Sequence, residues 1–362
     1  MNKFRNFLKQ HSKKIGLFVG VGAAIAVTSV AVLAGFGPDR PTKVYNGPGT
    51  AGFDTVTFNS FTNVPNIGDE RDFLTGKIAG ASGGFYDPMT KLRGDDEVLV
   101  RVYVHNNADP KYNADGSGIA KNTKVRVQLP EAGKLAANQS AKAFISADNA
   151  QPKEIYDTID MKAENNNPFA ISYVPGSATV TSNEGTKPVS DSIVTTGASL
   201  GNQKGCFEYV QLVTFKVKVG APNYTLAKTV RPDGSTSVND WKETLKTTPG
   251  ATVQWRVAFQ NTGSVQLKDT KIVDNLPTNV TAVPGTVKLY DTNFPSGYTY
   301  PDSAIQANGR QINVNIGNYN PKTQGFITFK TKIADKDKLT CGLNTVKNVA
   351  FATPTNGYGT IT

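Results

Sequence analysis

Histidine and cysteine are scarce in this chain, which has two of each among its 362 residues. Only one histidine, His105, lies beyond the N-terminal 34 residues, and strand alternation predicts that it faces outward. A Ser-His-Asp hydrolase site would depend on this one side chain, and a zinc site needs more histidine and cysteine ligands. The sequence therefore predicts a protein that is not an enzyme and carries no resident cofactor.

Two cysteines, Cys206 and Cys341, are too few for a disulfide framework, so we expect both to be free thiols. Long amphipathic helices are also lacking, and residues 134–145 are the best short helical candidate. These absences direct attention to β structure.

The N-terminus is predicted to direct export. Residues 1–34 carry five basic and no acidic side chains, and an uncharged run spans residues 15–38. This pattern fits a cleavable signal peptide ending near Ala34, or an uncleaved helical anchor whose basic flank stays in the cytoplasm.

The remaining 34 basic and 29 acidic residues are nearly balanced and do not cluster with aromatic residues, so nucleic-acid binding is not predicted. Residues 35–52, rich in Gly, Pro and Thr, are expected to form a flexible lead-in.

The rest of the chain contains an internal repeat. Residues 100–107 and 125–130 correspond to 255–262 and 272–277, and residues 173–177 and 213–219 correspond to 282–286 and 327–333. Val98, Val100, Val102 and Val104 alternate with other side chains, as expected for half-buried strands. We therefore predict an all-β fold of two tandem immunoglobulin-like antiparallel β-sandwich domains, at residues 53–220 and 221–355, followed by a tail at 356–362.

The second copy resembles the domain-of-unknown-function-eleven family, an immunoglobulin-like repeat of exported bacterial and archaeal proteins. The match rests on six segments in order: Pro249-Gly250, residues 257–263, residues 273–277, residues 283–285, Ile316-Gly317 and residues 346–350. The first copy departs from the pattern at Asn107 and Val127, where the family has Thr and an acid. The resemblance implies a bacterial cell-surface protein with a role in architecture or adhesion, and it implies no reaction.

Three polar residues of the second copy are predicted to face its core. Lys228, Asp274 and Asn348 each alternate in register with apolar neighbours, and an unpaired buried charge is strongly disfavoured. In surface proteins with immunoglobulin-like domains, a first-strand Lys can attack the carboxamide of a last-strand Asn while a carboxylic acid moves protons. We therefore hypothesise an intramolecular isopeptide bond between Lys228 and Asn348, promoted by Asp274. In the alternative interpretation Asp274 caps a turn, Asn348 bonds the backbone and Lys228 reaches solvent.

Calcium is the one metal that the sequence suggests. Asp109, Asn113 and Asp115 lie in a glycine-containing loop, although the EF-hand spacing fails, and an ordinary Asx-rich turn explains the same residues.

The predicted function is that of an exported, non-catalytic cell-envelope protein, extracellular or anchored with its domains outside the cytoplasm. Its expected partners are envelope or host-surface macromolecules, and the membrane if the N-terminus is uncleaved. Two alternatives remain. The chain could be a carbohydrate- or peptide-binding module that uses Tyr298 and Tyr300, or the subunit of a surface filament or layer joined by strand donation.

Overall fold

The computed structural model describes residues 35–357, which divide into two compact units with the boundary between Val219 and Gly220. The boundary falls inside the predicted hinge, residues 219–223. The signal or anchor prediction for residues 1–34 lies outside the described residues, as does most of the predicted tail. No helix within 35–357 is long and apolar enough to cross a membrane.

The first unit contains thirteen strands: β1 (Lys43–Val44), β2 (Phe61–Thr62), β3 (Leu74–Ile78), β4 (Met89–Leu92), β5 (Glu97–Val104), β6 (Ala120–Gln128), β7 (Asn138–Ser146), β8 (Glu154–Ala163), β9 (Ala170–Tyr173), β10 (Thr179–Ser182), β11 (Gly185–Pro188), β12 (Ala198–Gln203) and β13 (Gln211–Gly220). One large sheet has the order β11-β10-β13-β5-β3, with β9 also on β13, and the other has the order β12-β6-β7-β8-β4. Both sheets contribute to one buried core, so the unit is a two-layer β-sandwich.

The second unit contains ten strands: β14 (Tyr224–Pro232), β15 (Thr252–Asn261), β16 (Leu267–Asn275), β17 (Val280–Ala282), β18 (Lys288–Tyr290), β19 (Tyr298–Thr299), β20 (Ile305–Gln306), β21 (Gln311–Tyr319), β22 (Gln324–Ile333) and β23 (Val349–Thr353). The sheet β14-β15-β22-β18-β19, with β17 also on β22, packs on the sheet β20-β21-β16-β23 around a separate core. The all-β prediction is confirmed.

The described helices are single 3-10 turns at Pro110–Asn113, Glu164–Asn166, Asp191–Val194, Phe207–Tyr209, Val238–Asp240, Asp302–Ala304 and Lys336–Lys338. The short helical candidate at 134–145 does not form a helix, because most of it lies in β7. Side chains in β7 alternate between buried and more exposed, from Gln139 to Ile145. This alternation fits a strand that covers a core on one face only.

The strand register makes the internal repeat visible in three dimensions. Val102 on β5 lies between Leu74 and Val213, and its counterpart Val257 on β15 lies between Lys228 and Ile327. In the second sheet, Val125 pairs with Ala198 as Ile272 pairs with Val314. The other neighbour of β6 is β7, whereas the other neighbour of β16 is the last strand, β23. The strands shared by the two units therefore match position by position.

A second shared feature is the loop after the first strand of each sandwich. In the first unit this loop returns to form an antiparallel bridge between Gly76 and Tyr86, and in the second unit between Val230 and Lys242. In each unit, the aromatic residue immediately before the bridged loop residue lies against an arginine of the neighbouring strand. The Phe85 centroid is 4.4 Å from the Arg101 guanidinium carbon, and the Trp241 centroid is 4.8 Å from that of Arg256.

Residues 35–52, predicted as a flexible lead-in, pack on the first unit instead. Arg40 is buried and donates hydrogen bonds to the backbone oxygens of Phe58 and Asn59, each at 3.0 Å, while β1 pairs with β2. Glycine and proline content predicted the absence of regular structure correctly for most of this segment. It could not show that a buried guanidinium fixes the segment in place.

Candidate functional site: a buried lysine, aspartate and asparagine

The structure brings together the three polar residues predicted to face the core of the second unit. Lys228 lies on β14, the first strand of the unit, and donates a short hydrogen bond from Nζ to Oδ2 of Asp274 on β16. Asp274 is fully buried, and the Lys228 side chain is 14% exposed. Lys228 therefore does not reach out to solvent, and Asp274 does not cap a turn.

Asn348 immediately precedes β23, on the face that also carries the buried residues Ala350 and Ala352. Its carboxamide lies beside the carboxyl of Asp274 and slightly offsets the burial that raises the pKa of that carboxyl. The contact nevertheless falls short of a well-formed hydrogen bond. The Nδ2 and Oδ1 atoms of Asn348, together with Oδ1 of Asp274, are buried without a hydrogen-bond partner. Buried polar atoms rarely remain unpaired, and these three occur at one place.

Strands β14 and β23 are edge strands of the two opposing sheets and lie close to each other. The Tyr224 hydroxyl on β14 donates a 2.7 Å hydrogen bond to the backbone oxygen of Ala352 on β23. The cluster of Lys228, Asp274 and Asn348 thus lies where the first and last strands of the sandwich meet.

The electrostatics of the cluster bring the pKa values of Lys228 and Asp274 closer together. Burial lowers the pKa of the Lys228 amine to about 8, although the charge of Asp274 opposes this effect. Burial also raises the pKa of Asp274, opposed by the charge and hydrogen bond of Lys228. Both shifts favour the neutral amine and the neutral acid, since burial penalises charge. A neutral amine is a nucleophile, and a neutral carboxylic acid can donate a proton to a carboxamide.

Two aromatic rings enclose the amine. Its Nζ atom lies 4.9 Å from the ring centroid of Trp255 and 5.9 Å from that of Phe329. The Trp255 indole donates a 2.9 Å hydrogen bond from Nε1 to the hydroxyl of Thr331, which is itself buried. Neither Trp255 nor Thr331 was predicted from the sequence to belong to this site. Comparison of the two copies could have found them, because the matching positions in the first copy are Val100 and Val217.

The environment of His105 is the opposite of the predicted one. It was predicted to face solvent, but it is completely buried and its Nδ1 atom lies 2.7 Å from Oε1 of Glu70. The reason is that residues 53–70 cover the outer face of the sheet where β5 ends, and Phe61 and Phe207 pack against the imidazole. Its Nε2 atom has no hydrogen-bond partner, so no serine or cysteine is bonded to it as a nucleophile would be.

The calcium candidates each bond to nearby groups. Asp109 accepts hydrogen bonds from the backbone of Lys111 and Gly52, Asn113 exchanges two with Gly205, and Asp115 accepts two from Ser117. Asp109 and Asp115 therefore form Asx-type turns with Lys111 and Ser117, whereas Asn113 joins its loop to the distant Gly205. Across residues 35–357 no group of three His, Cys, Asp or Glu side chains is arranged to hold a metal ion. Cys206 and Cys341 are both free thiols.

No family model matches the chain, and no curated protein matches it. The resemblance to the domain-of-unknown-function-eleven family therefore stays a prediction.

Solved structures similar to this chain include bacterial surface proteins. A putative membrane-anchored protein from Corynebacterium diphtheriae aligns at 11% identity and a TM-score of 0.25, over 79% of this chain and 88% of that one. The collagen-binding domain of the Erysipelothrix rhusiopathiae surface protein RspB aligns at 12% identity and a TM-score of 0.22, over 77% and 85%. The collagen adhesin of S. aureus aligns at 11% identity and a TM-score of 0.20, over 79% and 97%. TM-scores this low do not establish a shared fold.

Proposed function

We propose that this chain is an exported, non-catalytic cell-surface protein of structural or adhesive function, built of two tandem immunoglobulin-like domains. We further propose that its second domain is locked by an isopeptide bond between Lys228 and Asn348. The observation that carries this proposal is the buried contact of Lys228 with Asp274 beside the unpaired carboxamide of Asn348. A protein that holds a surface partner under load benefits from a covalent link between its first and last strands.

The bond would form by exchange of one amine for another. The neutral Nζ of Lys228 attacks Cγ of Asn348, while protonated Asp274 donates a hydrogen bond to the carboxamide oxygen. Asp274 then takes a proton from Nζ and passes one to Nδ2, so that the Cγ–Nδ2 bond breaks and ammonia leaves. The product is an amide between the two side chains, and Asp274 returns to its starting state. No oxidant or cofactor is needed.

Intact mass spectrometry of the purified chain tests the cross-link. We expect a mass lower by one ammonia than the sequence of the recovered chain requires. Lys228→Ala and Asn348→Ala should each show the full mass of their own sequence. Lys332→Ala is the matched control, because Lys332 forms an exposed pair with Asp335 on the same unit, and this variant should keep the loss. A wild-type chain of full mass would contradict the cross-link.

Carbohydrate binding is a second candidate, favoured by one exposed aromatic group. Phe294 and Tyr298 are 41% and 43% exposed with ring centroids 5.1 Å apart, and Tyr300 lies 5.0 Å from Tyr298. The corresponding hairpin of the first unit, residues 179–188, contains no aromatic residue. Contiguous exposed aromatic surface often marks a binding site.

A glycan array tests this second function. Binding that is lost in Tyr298→Ala and kept in Tyr86→Ala would support it, since Tyr86 is an exposed tyrosine of the first unit. Equal binding by both variants, or no binding by the wild type, would count against it.

A further inference from the structure

We propose that Trp255, held in place by Thr331, is the positioning residue that keeps the Lys228 amine against Asp274 and shields it from water. This inference rests on the proposed cross-link, because it assigns a role in forming that bond. None of the described contacts joins Trp255 to the carboxamide of Asn348. The effect of Trp255 would therefore act through Lys228.

The first argument is geometric. A long lysine side chain loses considerable rotamer entropy when one orientation is imposed on it. The indole face 4.9 Å from Nζ restricts that freedom from one side, and the hydrogen bond to Asp274 fixes the tip from another. The ring itself is oriented by its 2.9 Å hydrogen bond to Thr331. Thr331 thus limits the motion of the Trp255 ring, and the ring limits the motion of the Lys228 amine.

The second argument comes from the matching positions of the two copies. Lys228, Trp255, Asp274 and Thr331 correspond to Leu74, Val100, Val127 and Val217, and all four counterparts are buried and aliphatic. Phe329 corresponds to Phe215, so an aromatic ring is present there whether or not the lysine is. The change at positions 255 and 331 accompanies the lysine and the aspartate, which a general need for core filling does not explain.

The third argument concerns polarity. Thr331 is fully buried, and a hydroxyl in a core is costly unless it is hydrogen-bonded. Valine would fill nearly the same space without that cost, as it does in the first unit. A threonine here is accounted for by its bond to the indole, and the indole is accounted for by its position over the amine.

The experiment compares Trp255→Val, Trp255→Phe and Thr331→Val with the wild type in the full-length chain. Each protein is unfolded before the bond has formed, refolded, and sampled for loss of ammonia by intact mass. We expect Trp255→Val to slow the loss by on the order of tenfold or more, and the two milder variants to slow it less. Trp241→Val is the matched control, since Trp241 lies against Arg231 and Arg256, not against Lys228, and should not change the rate.

A second measurement does not depend on the cross-link. In Asn348→Ala, which cannot form the bond, the pKa of the Lys228 amine is followed by NMR with Trp255 intact and with Trp255→Phe or Trp255→Val. We expect the pKa of the Lys228 amine to rise toward the ordinary lysine value when the indole is replaced by a smaller side chain, because water then reaches the amine.

The outcomes separate the two proposals. If the wild type and all Trp255 and Thr331 variants lose ammonia at the same rate, and the pKa of Lys228 is unchanged by the Trp255 substitutions, the positioning role is overturned. The proposed cross-link would be unaffected by that result. Wild-type chains that never lose ammonia would overturn the cross-link. The NMR result would then decide alone whether Trp255 controls the environment of Lys228. A Trp255→Val chain that fails to fold leaves the decision to Trp255→Phe and Thr331→Val.

Discussion

Glu70 in the first unit and Asp274 in the second are both fully buried carboxylates, and their hydrogen bonds are satisfied very differently. Glu70 of the first unit accepts hydrogen bonds from Tyr103, His105, Asn107 and the backbone of Phe61. Asp274 of the second unit has one good partner, Lys228, and its Oδ1 atom has none. A carboxylate surrounded by donors has no bonding capacity left, so Glu70 fastens residues 53–70 to the end of β5. A half-satisfied carboxylate between an amine and a carboxamide is the arrangement that the proposed cross-link requires.

The surroundings of the cluster extend this contrast. Leu74 and Val127 occupy the positions of Lys228 and Asp274, and continuing the register of β7 places Ala141 at the position of Asn348. All three are buried. The first unit therefore shows that these three positions can be filled with apolar side chains alone. The polar cluster of the second unit is an addition to the fold and not a requirement of it.

Removing the acid should produce the largest effect. Asp274→Ala leaves the Lys228 amine buried without a counter-charge, which costs about 3 to 5 kcal/mol when one partner of a buried pair is lost. It should also leave the mass of the second unit undiminished. Urea unfolding and intact mass measure the two effects on the same sample. Loss of ammonia in this variant would show that Asp274 is not the proton carrier.

Replacing the carboxylate of the first unit should reduce stability without any covalent consequence. Glu70→Gln keeps the size but replaces an acceptor by an amide that cannot serve four donors, and we expect a loss of about 2 to 3 kcal/mol in the free energy of unfolding. The ammonia loss should be unchanged. A variant as stable as the wild type would show that the Glu70 cluster does not hold residues 53–70.

The first unit should also become less stable as the pH rises from about 4 to about 7. Burial raises the pKa of Asp157 from 3.8 to about 7, and that of Asp72 to about 6. In this range the unfolded carboxyls have already ionised and the folded ones still bind protons, so stability falls as the pH increases. We expect the free energy of unfolding to fall by about 3 to 4 kcal/mol between pH 5 and pH 8, as measured by urea unfolding at each pH. Asp157→Asn should flatten the profile, and an equally steep profile would assign it to other groups.

Making the second unit imitate the first should have the smallest effect on stability. The triple variant Lys228→Leu, Asp274→Val, Asn348→Ala replaces the cluster with the residue types found at the matching positions. Its free energy of unfolding should lie within about 1 kcal/mol of that of Asn348→Ala, since a buried ion pair contributes little compared with well-packed apolar residues. The Asn348→Ala chain is the proper reference because neither protein can form the bond. A triple variant that does not fold would show that the polar cluster is needed for the fold itself.

The strands and the orientation of Lys228, Asp274 and Asn348 could be predicted because they depend on alternation along single strands. The repeat could be predicted because the same segments recur in order. His105 could not, because its burial depends on a segment more than thirty residues earlier in the chain that covers the far face of the sheet. Residues 134–145 were misread because alanine-rich sequences favour helices, whereas neighbouring strands on both sides hold this segment in the sheet. Contacts between distant segments were the common factor in these errors.

The returning loops at Phe85 and Trp241 bear on how such molecules could assemble. The first strand of each sandwich is an outer strand, and outer strands attract strands from other molecules. At Gly76 and Val230 the loop already uses the backbone groups that an incoming strand would need. The stacked arginine and aromatic rings would have to separate before it could dock. Polymerisation by strand exchange is thereby discouraged at both of these edges, and a filament of this protein would have to grow from another edge.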